Sequence, residues 1–346
     1  MAEQEKKSCG TSQHTSLEAL KVFRKTWRNM TNNSLCEELK QFYPTTSEVQ
    51  DFYSVYVLNC VAGAWLCYST TILNILTIHA IRRTLLLPNT LRTLLLNLAV
   101  SDLGIGLVVQ PLVILLQVNW LQNINPRCEI YIIFSVVMTV FSTTSFLGIM
   151  AITMDRLLAL HLHLRYQEIV THKRAFASVI SIWVLSAFSS SRIFWLSSKV
   201  KYLVLVVSGV LCVVIIVLAY LRIYHILLRH KNRIQALQVG QQNVRSEISF
   251  FSNLRRSVSG TFYVYLLFLA CYSPRFVSLA AFKISGPSNY LKLFSMTTST
   301  LMFINSSLNP FIYCWKMKSI RNSVMNILGG MFRRTNWFQR RCHVAS

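Results

Sequence analysis

Asp102 is a single carboxylate inside the otherwise apolar run Leu98-Ala99-Val100-Ser101-Asp102. An unpaired carboxylate in hydrocarbon is costly, so it must be protonated, paired or bound to a cation. A second charged mark, Asp155-Arg156-Leu157, ends a later apolar run, and Asn309-Pro310-Phe311-Ile312-Tyr313 closes the last one. Pro274 interrupts another, with Cys271-Tyr272-Ser273 before it and Arg275 directly after it. Proline breaks the hydrogen-bond ladder and kinks the helix that carries it. A guanidinium grips carboxylate or phosphate bidentately. Ionisable groups inside a bilayer are expensive and are usually kept for function. None of this is catalytic. The eight His are scattered, and His161 and His163 lie in a short connection rather than in a metal-ligand cluster. Gly-rich nucleotide-binding patterns are absent, so the sequence reads as no enzyme.

The elements that carry these residues follow from composition. The chain has 346 residues, 53% hydrophobic and 14% charged, where a soluble protein carries about 25% charged. Crossing a bilayer takes about 20 mostly apolar residues per helix. Seven such runs lie at 53–81, 90–117, 129–158, 174–196, 202–228, 257–283 and 291–315. Only helices satisfy their own backbone groups in lipid. The expectation is an all-α membrane protein: a seven-transmembrane helix bundle with a short amphipathic eighth helix. The expected domains are an extracellular N-terminal tail over 1–52, the seven spans over 53–315, and an amphipathic helix with a cytoplasmic tail over 316–346. In the last of these, Ile320, Val324, Ile327 and Met331 recur at helical spacing among Lys and Arg. That pattern predicts a helix lying on the inner leaflet, ended by Gly329-Gly330.

The net charge of +23 invites a nucleic-acid reading, but its distribution argues against one. The N-terminal segment balances its acids and bases. The excess falls in alternate connections and after Lys316, as the positive-inside rule predicts for a multi-pass plasma-membrane protein with its N-terminus outside. Attraction to anionic membrane lipids accounts for the basic surfaces. The first 50 residues contain no apolar core of a signal peptide. Asn29 and Asn32 head acceptor patterns for glycosylation.

Taken in order, the marks resemble the rhodopsin-like family of G-protein-coupled receptors over roughly residues 53–330. They are Asn74 in span one, Asp102 in two, Asp155-Arg156-Leu157 in three, Trp183 in four and Tyr220 in five. Phe268 with Cys271-Tyr272-Ser273-Pro274 follows in six, and Asn309-Pro310-Phe311-Ile312-Tyr313 in seven. The resemblance implies a heterotrimeric G protein and an extracellular ligand as partners. It implies a polar network of Asn74, Asp102, Ser145, Asn305, Ser306 and Asn309, with Asp102 and Ser145 placed to hold an allosteric Na⁺. No other cofactor is expected. It gives Asp155, Arg156, Tyr220 and Tyr313 the G-protein switch, and Phe268, Tyr272 and Pro274 the activation hinge. Phe268 lies four residues before Tyr272, on the same face, and is expected to pack beneath it.

Several positions depart from the family pattern. Leu254 stands where an acid often faces the Arg of span three, which predicts raised basal activity. Tyr272 replaces the usual Trp and brings a hydroxyl that needs a partner. The link between spans four and five, Ser197 to Val200, contains no Cys, so the family's common disulfide from the top of span three cannot form. Cys9 and Cys36 are the other exterior cysteines, and Cys36–Cys128 is an alternative bridge, although sequence does not fix connectivity. The short link, the missing bridge and Cys212 in place of the usual Pro of span five together resemble the melanocortin, cannabinoid and lysophospholipid branch. Arg275, with Lys199, Lys201, Lys283, Lys292 and Arg192 around the mouth, suggests a small anionic or lipid-like ligand, lined by Met138, Ser142, Phe276 and Phe303. Arg275 snorkelling outward or pairing with Glu129 is the competing reading. The connection 229–256 is basic and Gln-rich and reads as a loop. Rival functions are a seven-span channel or transporter, and a receptor-like scaffold that does not signal.

Overall fold

The computed structural model describes residues 33–84, 87–162, 166–237 and 244–330. It is a bundle of seven long helices. Six are apolar and long enough to cross a membrane: Tyr53–Arg83, Asn89–Leu121, Cys128–Leu162, His172–Trp195, Val206–Arg229 and Val258–Ser285. The seventh, Asn289–Lys316, is equally long but rich in Ser, Thr and Asn. Its polar side chains are turned inward: Thr298, Asn305, Ser306 and Asn309 are all buried. The outer faces of spans four and five instead expose Phe176, Val184, Phe188, Leu211 and Leu218, the apolar coat that lipid requires.

Spans five and six run beyond their apolar cores, as Ser198–Leu237 and Val244–Ser285. The expected loop over 229–256 is therefore helical at 229–237 and 244–256. Apolarity marks where a helix is in lipid, whereas Leu, Arg, Lys and Gln continue it into water. By the same token only residues 196–197 separate spans four and five. Residues 318–330 form the short eighth helix, Gly329 and Gly330 included. Ile320 and Val324 are buried against the bundle and Ile327 packs beside them, while Thr84 bonds Ser323 at 2.8 Å. Met331, Asn29, Asn32 and Cys9 lie outside the described residues, as do the side chains of Leu254 and Lys199.

Span two contains one π-helical turn, Ile105–Val109, with Pro111 just after it. A wide turn frees a carbonyl, and Cys67 of span one donates to the Gly106 carbonyl at 3.2 Å. The turn also carries two close approaches. A Cβ at Gly104 would overlap Phe141 of span three, and one at Gly106 would come within 2.8 Å of the Thr71 hydroxyl.

The N-terminal segment is more than a tail. Two short helices, α1 (Asn33–Lys40) and α2 (Thr46–Asp51), lie against one end of the bundle. A Thr45/Glu48 capping box starts α2, satisfying two orphan N–H groups reciprocally. Val49 is fully buried with Tyr56, Leu116, Trp120, Tyr131 and Met296. This is the capped end. The opposite, basic end carries Arg82, Arg83, Arg174 and Lys316.

Candidate functional site

At the capped end the segment is fixed by three long-range ties. Cys36 is disulfide-bonded to Cys128, the first residue of span three. Lys201 of span five pairs with Glu38 at 3.2 Å, and Lys292 of span seven pairs with Glu48 at 2.8 Å. Burial opposes ionisation of Glu48, but the Lys292 ammonium and the Thr45 backbone N–H outweigh it and hold the carboxyl below the usual range. Between the ties, the Tyr43 ring packs on Tyr131 at 4.7 Å and Trp120 at 5.8 Å, and Phe42 meets Phe282 edge-on at 5.3 Å. Trp120 donates to the Tyr131 hydroxyl at 2.9 Å, so its buried indole is satisfied. Burial pushes the Tyr43 phenol up, against its hydrogen bond to Ser135 and the nearby Arg275 charge.

Beneath this segment lies a cavity of about 160 Å³. Leu39, Phe42 and Tyr43 form one wall, and Trp120, Phe134, Ser135, Arg275, Leu279, Ser295 and Ser299 are among the residues of spans two, three, six and seven that form the others. Of the five residues expected to hold a ligand, only Arg275 is here. Met138 and Phe303 pack in an apolar cluster with Ile105 and Val109. Ser142 hydrogen-bonds the Tyr272 hydroxyl and donates to the Met138 sulfur at 3.7 Å. Phe276 packs against the main core and lies close to Gly209. The reason is geometric. The N-terminal segment fills the mouth, and the open volume is left one helical turn nearer the capped end, at Ser135 rather than Met138. Arg275 neither snorkels nor pairs with Glu129: its Nη1 donates to the Ser295 carbonyl at 3.2 Å and to the Ser295 hydroxyl.

Directly below, Tyr272 stacks on Phe268 with centroids 3.9 Å apart. Phe268 stacks in turn on Phe146 of span three at 5.2 Å. Pro274 lies inside span six between this stack and Arg275.

The middle of the bundle holds the polar network. Asn309 donates to Asp102 Oδ2 at 2.8 Å. Asn74 donates to the Thr70 and Ser306 carbonyls at 2.9 and 3.0 Å. Ser101 bonds Ser145 at 3.0 Å, and Thr70 bonds Ser307 at 2.8 Å. Ser306 also hydrogen-bonds the Asp102 carboxyl, and among the described residues the amide oxygens of Asn74, Asn305 and Asn309 are buried there with no protein partner. A lone carboxylate with neutral oxygens is a donor set that fits a hard monovalent cation or ordered water. Ser101 gives its proton to the Leu98 carbonyl, so Ser145 donates to Ser101 and keeps its lone pairs for a cation.

Toward the basic end an apolar layer intervenes. Leu95, Leu98, Ile149, Ile152, Thr261, Val264 and Tyr313 enclose a void of about 10 Å³, room for about one water. Along spans two and three this layer lies between Asp102 and Arg156. Tyr313 is buried there with its hydroxyl unpartnered. Past the layer, Arg156 pairs with Asp155 through Nε at 3.1 Å and through Nη2. Tyr220 stacks on Tyr265 at 5.4 Å, its hydroxyl 3.5 Å from that of Thr153.

Sequence reasoning missed Tyr166 and Thr90. Tyr166, in the short helix Tyr166–Ile169 between spans three and four, donates to Asp155 Oδ1 at 2.6 Å, and Thr90 bonds the same phenol at 2.7 Å. Burial and the Asp155 charge push the Tyr166 phenol up to about 12, so it stays a donor. Asn97, which accepts from the Trp183 indole at 2.9 Å, was missed as well. A buried polar residue one turn from a known mark was the available signal for Asn97; Tyr166 offered none.

The model of the 7 transmembrane receptor (rhodopsin family) matches residues 73–202 and 192–313. The chain is 27% identical to the sheep (Ovis aries) melanocortin receptor 5 over 206 residues, 57% of this chain and 60% of that one. It is 31% identical to the chicken (Gallus gallus) adenosine receptor A2b over 113 residues, 33% of this chain and 32% of that one. The matched parts thus span less than two thirds of either relative. The crystal structure of squid rhodopsin superposes with a TM-score of 0.69 at 17% identity, covering 84% of this chain and 87% of that one.

Proposed function

The chain belongs to the rhodopsin family of seven-transmembrane receptors, and on that premise we propose that it carries a signal across the plasma membrane to a heterotrimeric G protein. In this reading the capped end faces outward and the basic end faces the cytoplasm, in keeping with the positive-inside rule. Occupancy of the cavity beneath residues 39–43 biases the hinge in span six, and the basic end opens. A ligand can shift that equilibrium only by its differential affinity for the two states.

The observation that carries the reading is the continuity of span six. One helix holds Arg275 and Leu279 in the cavity wall, Pro274, Tyr272 and Phe268 at the hinge, and Tyr265 against Tyr220 near the switch. The ligand is anionic and partly apolar, because Arg275 is the lone cation in an otherwise neutral wall. An allosteric Na⁺ at Asp102 and Ser145 is supported by the unpartnered amide oxygens around that carboxylate. The test is nucleotide exchange on purified G proteins, with organic acids and lysolipids as the panel. An active ligand raises exchange on the wild type and loses potency on Arg275→Ala. Exchange that never rises above the receptor-free rate, with any ligand or G protein, would sink the proposal.

A further inference from the structure

The cavity is a chamber whose roof is not part of the seven spans. Leu39, Phe42 and Tyr43 close it, and they are held by the Cys36–Cys128 bond and by ion pairs to Lys201 and Lys292. Aromatic contacts seal the roof to spans two, three and six, through Trp120, Tyr131 and Phe282. The floor and walls supply one cation and no carboxylate. Among the described residues no acid lies within ion-pair distance of Arg275. Both of its hydrogen bonds leave from Nη1 and go to Ser295, so Nη2 and Nε are left to an occupant. A half-buried guanidinium without a carboxylate is costly, and a bidentate anion is the partner its fork matches.

Two magnitudes narrow the occupant. The chamber measures about 160 Å³, and an engineered apolar cavity of about 150 Å³ holds benzene. That is room within the wall for one ring and a short head. A phosphate monoester carries a charge of about −1.5 to −2 near neutral pH, more than the single cation in this wall neutralises. A carboxylate carries one.

We infer that the chamber, roofed by residues 39–43, binds a small monocarboxylic acid with a single ring-sized apolar body, its carboxylate on Arg275 and its body against Tyr43, Trp120 and Phe134. This rests on the proposal that the chamber is the ligand site, and it adds the ligand class and the roof as a determinant of what fits. Tyr43 is thereby a specificity residue supplied from outside the bundle.

The experiment uses the full-length chain in discs of zwitterionic lipid, read by ligand-observed saturation-transfer NMR. The probes are benzoate, phenylacetate, 3-phenylpropionate, their primary amides and a lysophosphatidate. At least one acid is expected to bind, and its amide to bind about tenfold or more weakly, the loss of one charged hydrogen-bonded contact. Arg275→Gln is expected to abolish that difference. Tyr43→Ala is expected to weaken the acid by a similar factor, and Tyr43→Phe to leave it within a few-fold. Should Tyr43→Ala not fold, Tyr43→Trp narrows the chamber and is expected to weaken the bulkiest acid most. Acids that bind no better than their amides overturn the inference. So does full acid binding by a folded Tyr43→Ala or Tyr43→Trp, or a lysophosphatidate that outcompetes every acid. Nucleotide exchange on the same samples separates the two claims. Exchange without acid binding leaves the receptor reading and removes this one; acid binding without exchange does the reverse.

Discussion

At the basic end, the bundle is closed by side chains that belong to the spans themselves. Leu95, Leu98, Ile149, Ile152 and Val264 form the layer, and Asp155 holds Arg156 from the adjacent position on one helix. At the capped end, closure comes from a separate segment, tied to residues 92 to 244 positions away. The first device is built from the spans and is mainly apolar; the second comes from outside them and is held by a disulfide and ion pairs. The difference teaches where each end is adjustable. A layer of packed apolar groups has two arrangements, packed or parted. A strap held by ion pairs responds to charge, pH and whatever lies beneath it.

The comparison breaks most visibly at Arg156. Arg156→Ala is expected to abolish receptor-driven nucleotide exchange while leaving ligand binding at the capped end, measured by NMR on the same preparation. Loss of both would mean the two ends are not separate devices. Next in size is the cap. Cys36→Ser opens a loop with a sequence separation of 92, and removing a native disulfide costs about 2–5 kcal/mol. A melting temperature lowered by several degrees in a thermal shift assay is expected, with acid binding weakened and basal exchange retained.

Tyr166→Phe removes a phenol donor from Asp155, a loss of about 1–3 kcal/mol for a charge-assisted bond. Basal exchange is expected to rise a few-fold, because Arg156 is then less firmly held; an unchanged rate would show that the Asp155–Arg156 pair needs no outside support. The smallest effect is at Glu48→Gln. Partly exposed ion pairs contribute about 0.2–1 kcal/mol. The sign of its pH dependence is fixed. The folded-state pKa of Glu48 is depressed, so the stabilisation is present above its unfolded value of about 4.3 and fades as pH falls through the lower folded value. Amide protection factors at residues 45–51, corrected for the intrinsic exchange rate at each pH, are expected to fall below that pH in the wild type and to stay constant in Glu48→Gln.

The same contrast explains what the sequence made legible. Asp102, Arg156, Pro274 and Tyr313 stand out because an ionisable or helix-breaking residue in an apolar run has few innocent explanations. Span seven was legible through such marks, although its Ser and Thr content keeps it from reading as apolar. The cap was legible only in its Cys36–Cys128 bridge. Glu38, Tyr43 and Glu48 look like any polar tail until Lys201, Ser135 and Lys292 are brought to them by folding. Four of the five expected ligand residues lie outside this cavity for the same reason. Met138, Ser142, Phe276 and Phe303 were placed without the segment that occupies the mouth, and the cavity beneath that segment is lined by Ser135, Ser295 and Arg275 instead.

The length of span six has a mechanical consequence. Helix rises by about 1.5 Å per residue, so from Pro274 to its start at Val244 the arm is about 45 Å. From Pro274 to Ser285 it is about 16 Å on the same rise. The pivot therefore divides a lever of unequal arms, with a gain of roughly three. A displacement of about 1 Å at the short arm becomes about 3 Å at the long arm's tip, if the helix stays rigid on either side of its hinge. The molecule needs no large movement around a small bound acid to produce a wide one where a partner would dock.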